Sequence, residues 1–255
     1  MGHQLGANHT FSNSLEGAGV NVEPGSGSTI MGYAGITGPN TDVQPHSDPY
    51  FHTVSIGQVQ TNLNNKTCDV ETTTTNNPPV IAAFTTYTIP KGTAFVLTGS
   101  ATDPENDPMT YVWEQRDNAT VTINKNNLGN TTSGAAFRSV VPSTSPVRYF
   151  PRLSSVLAGV LNNTNNLWEA VPTVARTMNF AFTVRDNNPA ANQKQTQTAT
   201  QQIVVGNDGP FTVTTTAVTN NVVSPVTWTV ANTNNAPYNA TNVQIDYTAD
   251  NGATW

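Results

Sequence analysis

Gly99-Ser100-Ala101-Thr102-Asp103-Pro104-Glu105-Asn106-Asp107-Pro108-Met109-Thr110-Tyr111-Val112-Trp113 sets an acidic, proline-bounded turn ahead of an apolar, aromatic run. Two prolines and two Asp residues in six positions oppose both helix and strand, so the chain must turn there. Met109–Trp113 then predicts a strand. Asp103, Glu105 and Asp107 alternate as oxygen donors to calcium do. The plainer reading is that Asp and Asn simply build the turn.

Outward from this stretch the same rhythm repeats. Residues 80–84, 94–98, 178–184 and 202–205 are apolar or β-branched runs that predict strands, separated by turn clusters. That is the pattern of an antiparallel sandwich. The 99–113 phrase resembles PKD- and cadherin-like bacterial Ig-type domains, in which an aromatic strand follows an acidic turn and the Trp packs between the sheets. No complete EF-hand or cadherin ligand set can be assembled from these residues, so Ca²⁺ stays an expectation on Asp103, Glu105 and Asp107 alone.

Residues 116–175 are longer than a normal hairpin connection and predict an elaborated loop or an extra subdomain, with a short helix at 154–161. After Gly206-Asn207-Asp208-Gly209-Pro210 a second sandwich is expected, with alternating strands at 211–213, 226–230 and 243–247. Asp250-Asn251-Gly252 carries a hairpin-turn signal, and three or four strands cannot close a sandwich core. Upstream, Glu71-Thr-Thr-Thr-Thr-Asn-Asn-Pro-Pro79 reads as a linker that resists helix and packs poorly.

The first seventy residues have another character. His3-Gln4-Leu5-Gly6-Ala7-Asn8-His9 is an HxxGxxH array, and Ser28-Thr29-Ile30-Met31-Gly32-Tyr33-Ala34 follows beyond the Gly-rich Pro24-Gly25-Ser26-Gly27. Gly6 suits the end of a helical turn, because it enters the left-handed region without a Cβ penalty. By itself HxxGxxH is weak, since a His is more often structural and a Met more often ordinary core.

In this order the two motifs resemble the back half of a metzincin zinc-peptidase site, H-E-x-x-H-x-x-G-x-x-H followed by a Met-turn. The resemblance implies that Met1 and Gly2 are spacers, His3 and His9 are the second and third Zn²⁺ ligands, and Met31 is the apolar floor. The first His and the Glu base are expected immediately upstream of Met1. In such a site zinc lowers the pKa of a bound water, and the Glu takes its proton during attack on a peptide carbonyl. With two of three ligands and no base, little or no peptidase activity is expected of this chain alone.

Asp48–Ile56, Gln58, Val59 and Cys68 extend the likeness to the closing helix of bacterial reprolysin-like (adamalysin-type) metzincins, over roughly residues 1–70. Ser55 is the expected N-cap, with Ile56, Val59 and Leu63 at helical spacing. Thr10 is a departure: snake-venom-type members usually carry Asp after the third His. Tyr33 stands where astacin-type relatives supply a switchable tyrosine ligand. His46 and His52 could replace a missing ligand but read first as a loop His and a His packing against or capping the helix. Glu16 and Glu23, in the intervening loop, have no assigned role. Cys68 is the single cysteine; the family commonly pairs a Cys here with another in the catalytic domain, and in this chain a free thiol is expected.

Charged residues make up only 10% of the 255, the net charge is −6, and no basic cluster occurs, which argues against nucleic acid and anionic membranes as partners. Asn and Thr fill the place of charge, as suits extracellular β-sandwich proteins. No apolar run is long enough to span a membrane, and no signal peptide follows Met1, so an export signal is expected upstream.

The expected fold is thus an α+β piece, the C-terminal part of a metzincin catalytic domain (1–70), a linker (71–79), an Ig-like sandwich with an insertion (80–206) and a partial second sandwich (207–255). The expected function is that of a secreted zinc metalloendopeptidase acting on protein or peptide substrates, with β modules that act as spacers or contact substrate, cell surface or matrix. The alternative is a structural or adhesive extracellular β-sandwich protein with a vestigial protease remnant. A His-Glu pair encoded directly upstream of Met1 separates the two.

Overall fold

In the computed structural model, which describes residues 1–68, 70, 72–219, 221–250 and 252–254, β structure dominates. Glu71 of the expected linker and Asn251 of the expected hairpin turn lie outside the described residues. The strands are β1 (Val80–Ile81), β2 (Tyr87–Pro90), β3 (Phe95–Thr98), β4 (Ala101–Thr102), β5 (Met109–Gln115), β6 (Val147–Phe150), β7 (Asn162–Asn163), β8 (Glu169–Ala170), β9 (Arg176–Asp186), β10 (Thr196–Gly206), β11 (Thr212–Val213) and β12 (Trp228–Thr229). Two helices join them, α1 (Thr53–Leu63) and the short α2 (Leu153–Leu157), with a 3₁₀ turn at His3–Leu5.

A four-stranded sheet in the order β2-β10-β9-β5 forms one layer, with β2 parallel to β10 and the other neighbours antiparallel. The pairs β1–β4 and β3–β6 supply residues to its other face. Met178, Phe180, Phe182 and Val184 alternate along β9, point inward and are fully buried, as the period of two requires. They meet Leu97, Phe150, Ile203 and Trp113 in one core. Trp113 also ties the layers by donating its indole N–H to Pro146 O at 3.0 Å. Gly99, in the opening stretch, lies so close to Phe182 that an added Cβ would overlap the ring.

Residues 116–175 do not stand apart as a loop. They pack onto residues 20–43, where Val43 joins Ala119, Ile123, Leu128, Trp168 and Ala170 in a second core. Trp168, at φ 53°, donates its indole N–H to Asp42 O at 3.0 Å. Ser28 Oγ donates to Ser139 O at 3.0 Å, and Ala119 N to Asn21 O at 2.9 Å. The helical part of this segment is shorter than expected, Leu153–Leu157, and is followed by a turn at Gly159 with φ 69°.

The Thr-rich segment before β1 packs better than its composition predicts. Asn76 is buried, and its amide donates to Asp186 Oδ2 at 2.7 Å and Gln193 O at 3.0 Å, clamping the segment against the β9–β10 hairpin. Toward the C-terminus β11 and β12 pair over two residues each. Residues 243–247 alternate in sequence yet form no strand; they are exposed, and among the described residues no strand pairs with them.

Candidate metal centre

The 3₁₀ turn His3–Leu5 ends at Gly6, whose φ of 95° is left-handed. Leu5 O then accepts Asn62 Nδ2 from α1 at 3.0 Å, and a Cβ at Gly6 would lie 2.8 Å from the Cβ of Asn62. Closing the turn here brings His9 back over His3. Their Nε2 atoms lie 3.0 Å apart, and the rings meet edge to face at 4.6 Å.

The outer nitrogens fix the tautomers. His3 Nδ1 is 2.8 Å from Ala7 O, and His9 Nδ1 is 3.0 and 3.2 Å from the two oxygens of Glu16. A carbonyl and a carboxylate can only accept, so each Nδ1 carries the proton. In the neutral rings both Nε2 atoms therefore present lone pairs to each other. Two acceptors at 3.0 Å cannot bond directly; a proton or a cation between them resolves the contact.

The surroundings of the pair are aromatic and apolar. His9 stacks on Phe11 at 4.9 Å, and Tyr33 meets the His9 ring at 4.5 Å and 62°. Met31 is 4% exposed, and its sulfur sits so close to Gly2 that an added Cβ there would overlap it. Met31 O accepts Thr10 N at 3.2 Å, joining this turn to the residue after His9.

Glu23 is the buried keystone of these loops. Its carboxylate accepts Thr10 Oγ1 and Thr29 Oγ1, each at 2.5 Å, together with Ser28 N at 2.9 Å and Thr29 N at 3.2 Å. Thr10, the departure from the venom-type pattern, thus has a role here as a hydroxyl donor to Glu23. Sequence reasoning left Glu16 and Glu23 without roles; the signal was two acids in a loop otherwise almost free of charge.

Other expected positions are not brought to the pair. His46 is exposed in a loop. His52, not Ser55, caps α1: its Nδ1 accepts Val54 N at 3.2 Å, while Ser55 lies inside the first turn. The other face of His52 meets the buried Glu114 at 3.8 Å. Tyr33 contributes its ring to the His9 contact. Cys68 is a free, exposed thiol.

Asp103, Glu105 and Asp107 do not form a calcium cage. Asp103 Oδ1 accepts the Glu105 and Asp107 backbone amides at 3.0 and 2.9 Å, the Asx-turn geometry of the plainer reading. Glu105 accepts Asn77 Nδ2 at 2.6 Å, and Asp107 accepts Asn188 Nδ2 at 2.7 Å. Among the described residues no three His, Cys, Asp or Glu side chains converge as a metal-binding group, at the His3–His9 pair or elsewhere.

Residues 1–63 match the family of reprolysin-like M12B metallopeptidases. The match covers 63 of the 255 residues and contains His3, Gly6, His9 and Met31. No curated protein and no solved structure matches the chain. The similarity is therefore to a metallopeptidase over the first part of the chain, and the β layers stand outside it. No helix among the described residues is long and apolar enough to cross a membrane.

Proposed function

We propose that residues 1–63 are the zinc-binding and Met-turn portion of a metalloendopeptidase that acts outside the cell on protein or peptide substrates, with the β layers as supporting and contact modules. The observation that carries this reading is the pair of facing Nε2 lone pairs, each locked by an acceptor on its own Nδ1. Two nitrogens bound to one zinc at tetrahedral angles lie about 3.4 Å apart, so a separation of 3.0 Å fits after a few tenths of an ångström of adjustment.

When bound, Zn²⁺ supplies a Lewis acid for the peptide carbonyl and for water. The chain's own residues do the rest. Ala7 O and Glu16 hold the two rings with Nε2 inward. Phe11 stacks on the His9 ring and Met31 is buried beside Gly2, so that side of the pair is apolar. Tyr33, 39% exposed, lies edge-on to the His9 ring. With two inward nitrogens, Glu16 bound to the outer nitrogen of His9, and no third His, Cys, Asp or Glu converging on the pair among the described residues, weak metal binding and little peptidase activity are expected of the chain alone.

Zinc titration of the full chain by calorimetry tests this. One weak site is expected, lost in both His3→Ala and His9→Ala and kept in His46→Ala. Binding that survives either of the first two substitutions would overturn the assignment.

A further inference from the structure

We propose that Glu16 is the positioning residue for His9 and that it is anchored from outside the metallopeptidase-like segment, by Asn118 acting through Asn21. The zinc part of this inference rests on the reading of His3 and His9 as metal ligands; the positioning itself does not.

Residues 14–19 form an exposed loop with glycines at 17 and 19, a segment with little of its own to fix it. Two hydrogen bonds hold the backbone of Glu16. Its N–H donates to Asn21 Oδ1 at 3.1 Å, and its carbonyl accepts Asn21 Nδ2 at 2.9 Å. A single buried amide thus closes both sides of one residue. Asn21 is held in turn: its N–H donates to Asn118 Oδ1 at 2.8 Å, and its carbonyl accepts Ala119 N at 2.9 Å. Asn118 lies just beyond β5, at the start of the 116–175 segment.

The consequence lies at His9. Its ring has two nitrogens and could present either one inward. The Glu16 carboxylate on Nδ1 selects the Nδ1–H form, aims Nε2 at His3 and raises the ring's basicity as a ligand, as carboxylates behind metal-bound histidines do. Glu16 is half-exposed, so its worth as an ion pair is small. Its worth is directional, and direction depends on the Asn21–Asn118 tether. A residue of the 116–175 segment therefore sets the geometry of a ligand more than a hundred positions before it in sequence.

The test uses the full chain with two readouts. Long-range ¹⁵N–¹H correlation of the imidazoles, recorded at alkaline pH, reports the His9 tautomer without metal. Competition with a chromogenic chelator reports Zn²⁺ affinity. Glu16→Ala is expected to turn a dominant Nδ1–H form of His9 into a mixture and to lower Zn²⁺ affinity about 10- to 100-fold. Glu16→Gln, which keeps an acceptor oxygen, should restore most of the tautomer. Asn118→Ala should reproduce the Glu16→Ala tautomer change, and Asn118→Asp, which keeps the oxygen facing Asn21 N, should behave as the parent. An unchanged His9 tautomer in Glu16→Ala overturns the positioning role. A change in Glu16→Ala with none in a folded Asn118→Ala overturns the anchor. A tautomer that responds as expected in a parent chain that binds no Zn²⁺ supports the positioning and overturns only the zinc reading.

Discussion

Glu114 Oε2, on β5, accepts the backbone N–H of Thr53 at 2.9 Å, so a side chain of the β sheet satisfies the first turn of α1. Helix N-termini carry unpaired amides and a positive dipole end, which a carboxylate complements. His52 caps the next amide and faces the same carboxylate at 3.8 Å. The helix that closes the metallopeptidase-like segment thus has its N-terminus capped from the β sheet.

Burial pushes the Glu114 carboxyl up from the ordinary glutamate value, against the opposing pull of His52, Arg185 and the Thr53 amide. A raised folded-state pKa means the folded protein holds this proton more tightly than the unfolded chain. The associated stability is present in full below the ordinary value and is lost as pH rises through the folded one. Glu114→Gln keeps an acceptor for Thr53 and removes that dependence. Urea unfolding at a series of pH values should show the variant gaining on the parent as pH climbs above the ordinary glutamate range. A pH-independent difference would contradict it.

Trp168 joins the two halves of the second core and is 1% exposed. Trp168→Ala leaves a cavity and an unpaired Asp42 carbonyl and should cost about 3–5 kcal/mol. Trp168→Phe retains part of the packing and loses the hydrogen bond, for about 1 kcal/mol from the bond plus the missing volume. Chemical denaturation followed by circular dichroism measures both. If 1–70 and the β layers unfolded independently, the parent itself would show two transitions and Trp168→Ala would shift only one of them.

Removing the Glu23 carboxylate strands four donors at once: the hydroxyls of Thr10 and Thr29 and the amides of Ser28 and Thr29. Each buried donor left unpaired costs about 1–3 kcal/mol. Glu23→Ala should therefore destabilise this turn locally by several kcal/mol and collapse hydrogen-exchange protection at Ser28 and Thr29, while the amides of β9 keep theirs. Uniform loss across the chain would mean that Glu23 supports the global fold and not this turn.

The strands that were legible in the sequence are those whose alternation is dense. Phe180, Phe182 and Val184 announce β9, and Ile203 and Val205 announce the end of β10. β2 and β6 were not legible, because Tyr87–Pro90 and Val147–Phe150 are short, interrupted by Pro or Arg, and defined by partners far away in sequence. His3, Gly6, His9 and Met31 stood out as two spaced motifs, and their expected roles came from the resemblance to the metzincin pattern, not from spacing alone. Glu16, Glu23 and Asn118 were not, since an acid or amide in a loop acquires meaning only from what folds against it. Ser55 looked the better cap by residue type, yet the chain enters α1 three residues earlier, where the imidazole of His52 and the carboxylate of Glu114 supply the acceptors.

Gly6 offers the sharpest local test of the candidate site. At φ 95° a β-carbon costs about 1–2 kcal/mol by handedness, and here it would also press on Asn62, whose amide holds Leu5 O. The turn can relieve that pressure only by opening, which swings His3 away from His9. Gly6→Ala should therefore lower the melting temperature modestly and separate the two rings, seen as loss of the nuclear Overhauser contacts between His3 and His9 protons. The substitution Asn62→Gly beside it removes the colliding side chain; because it leaves the handedness penalty and also removes the amide that holds Leu5 O, it should restore the contacts only in part. Full retention of the contacts in Gly6→Ala would mean that Ala7 O and Glu16 suffice to hold the rings without the left-handed turn.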